Sequence, residues 1–216
     1  MEEEAASAFS PRQREVLDAS LAVLVEKGEA LTMTAVAARA SCSKETLYKW
    51  FGGRDGLLEA TVRWQASKVR VSVPEGGAID MNGLTEALTR FAADWLRVVS
   101  SSTSIALNRL AIGQAGQKAD AGKGLGAVVL ANGRFALGLR LKPLLEAAGE
   151  AGLIAFDDAE AAFRTFFGLV ARDVQIRLLL GDELKLTANA IAGDAARATR
   201  QFIQLHQTDA SGDPQH

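Results

Sequence analysis

Apolar residues recur at helical spacing along most of the chain, and this pattern predicts a protein built from α-helices. The segments that carry such a stripe are Pro11–Lys27, 82–101, 102–116, 125–148, 157–181 and 187–206. Within 125–148, Pro143 should kink or break the helix near residues 139–142, because proline lacks the N–H of a helical bond. Four prolines and one tyrosine among 216 residues also favour helix over strand. We therefore predict an all-α fold.

The stretch 32–58 contains the shortest predicted helices. Thr32 is a good first cap for one of them and Ser43 for the next, because each hydroxyl can accept a backbone N–H of the first turn. The residues between the two helices, 41–43, are too few for anything but a turn. The second helix is narrow enough to enter the major groove of DNA, which is about 12 Å wide. The pattern fits a DNA-binding helix-turn-helix, and it also fits a plain helical hairpin with a charged outer face.

The same stretch resembles the N-terminal domain of the TetR family of bacterial transcriptional regulators. The residues in register with that family's pattern are Thr32, Val36, Ala37, Ala40, Ser43, Thr46, Leu47, Tyr48, Phe51, Arg54, Asp55 and Leu57. The chain departs from the pattern at four positions. Ser41 replaces the usual turn glycine, Cys42 a valine, Glu45 a small residue, and Trp50 a histidine or tyrosine. Ser41 must then accept whatever backbone angle the turn needs, which glycine adopts more easily.

The resemblance implies a domain organisation. It predicts a three-helix N-terminal DNA-binding domain that contains the helix-turn-helix, followed by a C-terminal helical domain for ligand binding and dimerisation. A segment with proline and two glycines at 73–77 supports a boundary there. The predicted divisions are a disordered tail at 1–10, the DNA-binding domain at 11–53, a connecting helix at 54–73, the ligand-binding and dimerisation domain at 74–207, and a loose tail at 208–216.

The predicted partner of the first domain is an operator in double-stranded DNA. The residues expected at this interface are Thr32, Ser43, Lys44, Glu45, Thr46, Tyr48, Lys49 and Arg54. We expect Lys44 and Lys49 to contact phosphates or guanine edges. Tyr48 and Ser43 should contact phosphates, and Thr46 a base or its methyl group.

Charge agrees with a DNA-binding first domain once the chain is divided. The net charge is −2, but ten Lys and Arg stand against seven Asp and Glu between Pro11 and Arg70. DNA binding needs a local basic face rather than a basic protein. Glu45 is the exception, since it would either repel phosphate or accept a hydrogen bond from a cytosine N4. Together with the acidic N-terminus, Glu45 leaves open a helical protein-interaction module that has lost specific DNA binding.

Regulators of this family commonly hold a small-molecule effector inside the C-terminal helices. The side chains that suit such a pocket, aromatic with a few polar groups, are Phe91, Trp95, Arg109, Phe135, Phe166, Phe167, Arg172 and Asp173. Aromatic residues at helical spacing fit a plain core equally well. Arg109 and Asp173 fit a buried ion pair as well as a polar ligand site. The chemical class of the effector does not follow from these residues.

The last two long helices, 157–181 and 187–206, carry apolar residues on more than one face. Gly168 and Gly193 lie in their middles, where glycine costs about 1 kcal/mol relative to alanine, so a close approach of another helix is expected there. The family dimerises through such a pair of helices. We therefore expect a homodimer and a pseudo-palindromic operator with half-sites about one helical turn apart.

Other classes of protein find little support in the sequence. There is one cysteine, and the two histidines are His206 and His216, so we expect no metal site, no cofactor and no enzymatic activity. No run of eighteen apolar residues predicts a membrane helix, and three glutamates near the start argue against export. We expect a cytoplasmic regulator, with repression and release by the effector as the family's commoner behaviour.

Overall fold

The computed structural model describes residues 9–69, 79–115 and 124–207, most of which are helical. The α-helices in chain order are α1 Pro11–Lys27, α2 Met33–Arg39, α3 Lys44–Phe51, α4 Arg54–Ala66, α5 Met81–Val99, α6 Ser102–Gln114, α7 Leu125–Leu130, α8 Ala136–Glu150, α9 Ala159–Ala171, α10 Val174–Leu179 and α11 Ala188–His206. Within the described residues the only β-type pairing is an isolated antiparallel bridge between Ile154 and Gln207. The predicted all-α class is confirmed.

Several predicted segments lie outside the described residues. They are residues 1–8 of the N-terminal tail, the predicted boundary at 73–77, and the C-terminal tail at 208–216. Among the residues that are described, no helix is both long enough and apolar enough to cross a membrane.

Side-chain caps start the N-terminal helices where the sequence predicts them. The Ser10 hydroxyl accepts the N–H of Gln13 at 3.2 Å, and the Gln13 side chain accepts the N–H of Ser10 at 2.8 Å. The Thr32 hydroxyl accepts the N–H of Ala35 at 3.2 Å at the start of α2. Ser43 caps α3 in the same way. Each cap satisfies an N–H that the helix itself leaves unpaired, which is worth about 1 kcal/mol.

The first compact unit consists of the described parts of Met1–Lys68 and Ser100–Phe135, so it contains α1–α4, α6 and α7. Its core is aliphatic, and Leu107 and Leu110 of α6 belong to it. Helices α2 and α3 have seven and eight residues, lengths at which an isolated helix is unstable. They fold because α1 and α4 bury their apolar sides. The first compact unit also includes residues 100–135, which lie beyond the predicted domain boundary at residue 74. That functional boundary stays a prediction.

The second compact unit consists of the described parts of Val69–Val99 and Ala136–His216, with α5 and α8–α11. Helix α5 packs along α11, and α9 packs against both α8 and α11. Its largest fully buried side chains are phenylalanines: Phe91, Phe163, Phe166 and Phe202. Gly138 of α8 allows a close approach, because a Cβ there would lie 3.0 Å from the ring of Phe163.

The connecting helix is shorter than predicted. It was expected over 54–73, but α4 ends at Ala66. The Ser67 hydroxyl bonds to the carbonyl of Trp64 at 2.8 Å, a local bond of the kind that competes with helical continuation.

The prediction of one helix over 157–181 is wrong, because the structure has two. Helix α9 ends at Ala171, Arg172 adopts a φ of 42°, and α10 begins at Val174. The Arg172 guanidinium pairs with Asp194 of α11, whose carboxylate also pairs with Arg197. The apolar spacing continues through the break, so the pattern does not reveal it.

Of the predicted kink or break at Pro143, the break is wrong, since α8 stays helical from Ala136 to Glu150, and the kink stays a prediction. Pro143 is exposed and Leu139 is 72% exposed, so water can reach the carbonyl that the proline leaves without a donor. The departure from α geometry lies earlier. A π-helical turn at Ala131–Phe135 joins α7 to α8.

Candidate nucleic-acid interface

Helices α2 and α3 and the turn between them form a helix-turn-helix. The turn is closed by the N–H of Ser41, which donates to Ala38 at 3.3 Å, and by the N–H of Cys42, which donates to Ala37 at 3.0 Å. Ser41 has a φ of 49°, the region that glycine adopts more easily. Ser41 therefore adopts, at the cost of backbone strain, the conformation that the family's glycine would take without strain. Leu47 is fully buried and fixes α3 to the rest of the unit.

The outward side of α3 carries most of the predicted DNA contacts. Lys44, Glu45, Tyr48 and Lys49 are exposed, and Tyr48 keeps 54% of its surface accessible. Thr46 is half-buried. Across residues 9–69, 79–115 and 124–207, neither lysine forms an ion pair. Their charges are therefore available to DNA phosphates.

Ser43 and Thr46 form one local group at the start of α3. The Ser43 hydroxyl oxygen accepts the backbone N–H of Thr46 at 3.1 Å, and the two hydroxyl oxygens are 3.1 Å apart. Two predicted DNA contacts are thus tied together by the cap of the helix. The two contacts to Ser43 restrict the position of the Thr46 hydroxyl in the free protein.

Glu45 is engaged at the same helix start. A hydrogen bond from its own backbone N–H lowers the pKa of its carboxyl below the ordinary value of 4.5, and a hydrogen bond from Ser43 and the nearby charge of Lys44 lower this pKa further. An acidic residue in the first turn is also favoured by the helix dipole. The departure from the family's small residue thus has a structural reason, since the carboxylate supports the start of α3.

Thr32 and Arg54, the other predicted contacts, have partners in the scaffold. The Thr32 hydroxyl caps α2 and the residue is exposed. Arg54 donates from Nε to the carbonyl of Leu31 at 3.1 Å and from Nη2 to that of Glu29 at 3.2 Å. Its guanidinium therefore holds the chain that leads into α2. A DNA contact by Arg54 stays a prediction. Two of its nitrogens already donate to backbone carbonyls, so fewer donors remain for DNA.

Sequence reasoning missed one residue of this region, Arg12 of α1. Its Nη2 donates to the carbonyl oxygens of Ala40 at 2.6 Å and Ser41 at 3.1 Å. It thus reaches the turn of the helix-turn-helix. No local pattern marks such a contact, because Arg12 and Ala40 are 28 positions apart.

Four of the predicted effector-pocket residues form one aromatic cluster in the second unit. The ring centroids of Phe91 and Phe166 are 6.1 Å apart, and those of Trp95 and Phe167 are 4.3 Å apart. Phe91, Trp95 and Phe166 are at most 5% exposed. The structure brings these four side chains together as packed core. Their contact with an effector stays a prediction.

The remaining pocket candidates are exposed rather than packed in a core. Arg109 and Phe135 belong to the first unit and are exposed, Phe135 to 55%. The carboxylate of Asp173 lies 3.6 Å from Arg177, and its side chain is 63% exposed. Arg172 pairs with Asp194. A buried ion pair of Arg109 with Asp173 is therefore not supported, because neither residue is buried.

An open cleft of about 420 Å³ lies along the polar side of α5. Its lining is Asn82, Thr85, Glu86, Thr89, Arg90, Ala93, Arg97 and, from α11, Ala192. None of the predicted pocket residues belongs to this lining. The two arginines are paired with carboxylates of their own helix, Arg90 with Glu86 and Arg97 with Asp94.

The exposed, cationic α3 within a helix-turn-helix is typical of DNA-binding transcriptional regulators, and comparison with known proteins gives the family. Residues 16–61 match the family model for bacterial regulatory proteins of the tetR family. Residues 86–208, more than half of the chain, match the model for the C-terminal domain of AefR-like transcriptional repressors. The chain belongs to the TetR family.

Solved structures of similar proteins cover nearly the whole chain. A TetR transcriptional regulator from Agrobacterium tumefaciens is 42% identical with a TM-score of 0.76, over 93% of this chain and 97% of that one. The flavonoid-responsive regulator FrrA is 26% identical with a TM-score of 0.66, over 92% and 98%. The HTH-type transcriptional regulator BetI of Paraburkholderia xenovorans is 41% identical over 66 residues, a match that spans 27% of this chain and 34% of BetI.

Proposed function

We propose that this TetR-family regulator is a repressor that binds a pseudo-palindromic operator as a homodimer and leaves it when a small molecule binds. The observation that carries the proposal is the outward side of α3, where Lys44, Tyr48 and Lys49 are exposed. A helix of this kind inserts into the major groove, while flanking cations contact phosphates. Transcription regulation of this kind occurs in the cytoplasm, which is where we expect the protein to act.

The proposal assigns each exposed side chain of α3 a role. Lys44 and Lys49 contact phosphates or guanine edges, and Tyr48 contacts a phosphate through its hydroxyl. Ser43 contacts a phosphate by donating its one hydroxyl proton, which in the free protein it gives to Glu45, while its oxygen keeps accepting the N–H of Thr46. Thr46 contacts a base or its methyl group.

Binding is tested by fluorescence anisotropy of the purified protein on labelled duplexes from the DNA upstream of its own coding sequence, with unrelated duplexes of equal length beside them. Phosphate contacts make affinity fall with salt, so each titration is repeated over a salt series. Lys49→Ala should weaken binding and reduce the salt slope by about 1. Lys185→Ala, an exposed lysine of the second unit, is the matched control and should bind like the wild type.

The second candidate function is a protein-interaction module without specific DNA binding. It is favoured by Glu45, whose exposed carboxylate places a negative charge among the proposed phosphate contacts. The anisotropy series separates the two. Selective, salt-sensitive binding supports the repressor, whereas equal binding to all duplexes at every salt concentration supports the interaction module.

The proposed dimer interface uses the outer sides of α9 and α11. Gly168 and Gly193 are exposed, and a Cβ built on either would meet no atom within 4 Å. Nothing in the described part of the chain therefore requires glycine at these two helical positions. A second copy of the chain that packs closely against both helices would explain the glycines, because a side chain there would collide with the partner.

The proposed effector is a small molecule with aromatic character. The rings of Trp95 and Phe167 pack in the second unit with centroids 4.3 Å apart and a tilt of 39°, and aromatic side chains of this kind suit planar ligands. The similarity to a flavonoid-responsive regulator makes flavonoids the first compounds to test. The effector acts only through its different affinities for the two states of the protein, so it should bind more weakly when operator is present. Release of labelled operator by a flavonoid panel, with a thermal shift of the free protein, tests this proposal.

A further inference from the structure

A single side chain of α1 holds the turn of the helix-turn-helix. Arg12 Nη2 donates to the carbonyl oxygens of Ala40 at 2.6 Å and Ser41 at 3.1 Å, while Nη1 pairs with Glu15. The Arg12 side chain is 46% exposed, but one of its terminal nitrogens is committed to the backbone of the turn. Lysine cannot reproduce this geometry, because it lacks the planar, forked guanidinium.

The turn has two features that such a contact stabilises. Ser41 has a φ of 49°, which is unfavourable for a residue with a Cβ. Ala40 is the C-cap of α2, where carbonyl oxygens lack helical partners and carry the negative end of the helix dipole. A guanidinium that bonds both carbonyls therefore supports the strained conformation and satisfies the end of α2.

The direction of α3 depends on this turn. Only Cys42 and Ser43 lie between Ser41 and the first residue of α3, Lys44. Because peptide units are planar and only two dihedrals per residue are soft, the direction in which α3 leaves the turn depends on the few dihedrals of residues 41–43, among which the φ of Ser41 is the strained one. A change at Ser41 therefore moves the whole outward side of α3.

We propose that Arg12 is a positioning residue of the DNA interface: it holds Ser41 in its left-handed conformation and so orients α3 for the major groove. The predicted effect of Arg12 on DNA affinity rests on the proposed operator binding. Its hydrogen bonds to the carbonyls of Ala40 and Ser41 do not. The competing role for an exposed arginine here is a direct phosphate contact. The two roles differ in their dependence on salt and on the residue at position 41.

The test uses Arg12→Gln, Arg12→Lys and the double variant Arg12→Gln/Ser41→Gly in the full chain. Glycine at position 41 adopts the turn angle without help, so it should make Arg12 dispensable. Arg14→Gln is the matched control, because Arg14 also donates from α1 to a backbone carbonyl, that of Phe9 at 3.0 Å. The readouts are affinity for the selected duplex, its salt slope, and hydrogen exchange of the Cys42 amide in the free protein.

Arg12→Gln and Arg12→Lys should both bind about tenfold more weakly, the effect of losing one charge-assisted hydrogen bond, with the salt slope unchanged. Exchange of the Cys42 amide should accelerate in both variants, and the double variant should recover most of the affinity and the protection. Arg14→Gln should bind like the wild type.

Two results overturn the proposal. One is full affinity in Arg12→Lys together with a salt slope reduced by about 1 in Arg12→Gln, which identifies a phosphate contact. The other is a double variant no better than Arg12→Gln. If the wild type selects no duplex, the proposed operator binding fails, and the exchange of the Cys42 amide alone decides whether Arg12 holds the turn.

Discussion

The hydroxyl oxygen of Ser43 lies 3.1 Å from the backbone nitrogen of Thr46 and 3.1 Å from its hydroxyl oxygen. The cap of α3 and a proposed base-contacting side chain therefore share one oxygen. A change at residue 43 consequently affects the start of the helix and the position of the Thr46 hydroxyl together.

Ser43→Ala should lower the free energy of unfolding by about 1 kcal/mol, because the N–H of Thr46 loses its acceptor. It should also weaken operator binding. Thr187→Ala is the matched control, since the Thr187 hydroxyl caps α11 through the N–H of Ala190 at 3.2 Å. That variant should lose similar stability and keep its DNA affinity. Urea unfolding and anisotropy measure the two effects, and equal DNA affinities of the two variants would contradict the role of Ser43.

Glu45→Gln should change how stability depends on pH. The folded protein lowers the pKa of the Glu45 carboxyl, so the ionised form contributes stability above the ordinary value of 4.5. That contribution is lost as the pH falls through the lowered pKa. Wild type should therefore exceed the variant in stability near neutrality and converge with it in acid. Urea unfolding across this range measures the difference, and parallel curves at every pH would refute the effect.

Gly56→Ala should lower the free energy of unfolding by about 1–3 kcal/mol through overpacking. A Cβ at Gly56 would lie 1.9 Å from the carbonyl oxygen of Phe51, a backbone atom at the end of α3. Gly126→Ala is the control, because a Cβ there meets no atom within 4 Å and alanine favours helix. Chemical unfolding compares them. Equal stability of the two variants would show that the α3–α4 junction relaxes freely.

Gly193→Leu should weaken the homodimer by about 5- to 150-fold, since overpacking of a fitted contact costs about 1–3 kcal/mol. A Cβ at position 193 meets no atom within 4 Å among the described residues, so the start of the new side chain has room in its own chain, and we expect the resistance to come from a partner. Analytical ultracentrifugation over a concentration series measures the dissociation constant. Gly126→Leu serves as the control outside α9 and α11. An unchanged dissociation constant in Gly193→Leu would exclude α11 from the interface.

Local signals made much of the fold predictable. Ser10, Thr32 and Ser43 start their helices as expected, because a cap is decided within four residues of sequence. Ser41, which stands where the family has its turn glycine, adopts a φ of 49°, an angle that glycine takes more easily. Leu47 is buried and Tyr48 exposed as their positions on α3 indicate.

The rest depends on contacts between distant parts of the chain. From the sequence, Arg54 is predicted to be a cation beside α3 that contacts DNA. In the structure it donates to the carbonyls of Glu29 and Leu31, more than twenty positions away. The sequence marks Arg12 only as part of the first turn of α1, but its guanidinium donates to the carbonyl of Ala40. The break at Arg172 coincides with an ion pair to Asp194, which no hydrophobic periodicity encodes. Packed and ligand-lining aromatics have the same spacing, so the effector site was the least predictable feature.

The π-helical turn at Ala131–Phe135 ends where the first unit ends, and Ala136 begins the second. A π turn holds one residue more than an α turn, and each residue advances the helical face by about 100°. Deleting one residue there would restore a regular helix, and the positions of Leu137, Leu141 and Leu144 around the helix axis would shift by about 100° relative to the residues of α7. Relatives that differ by a one-residue insertion or deletion should therefore carry it outside this turn, or change the α8 stripe with it.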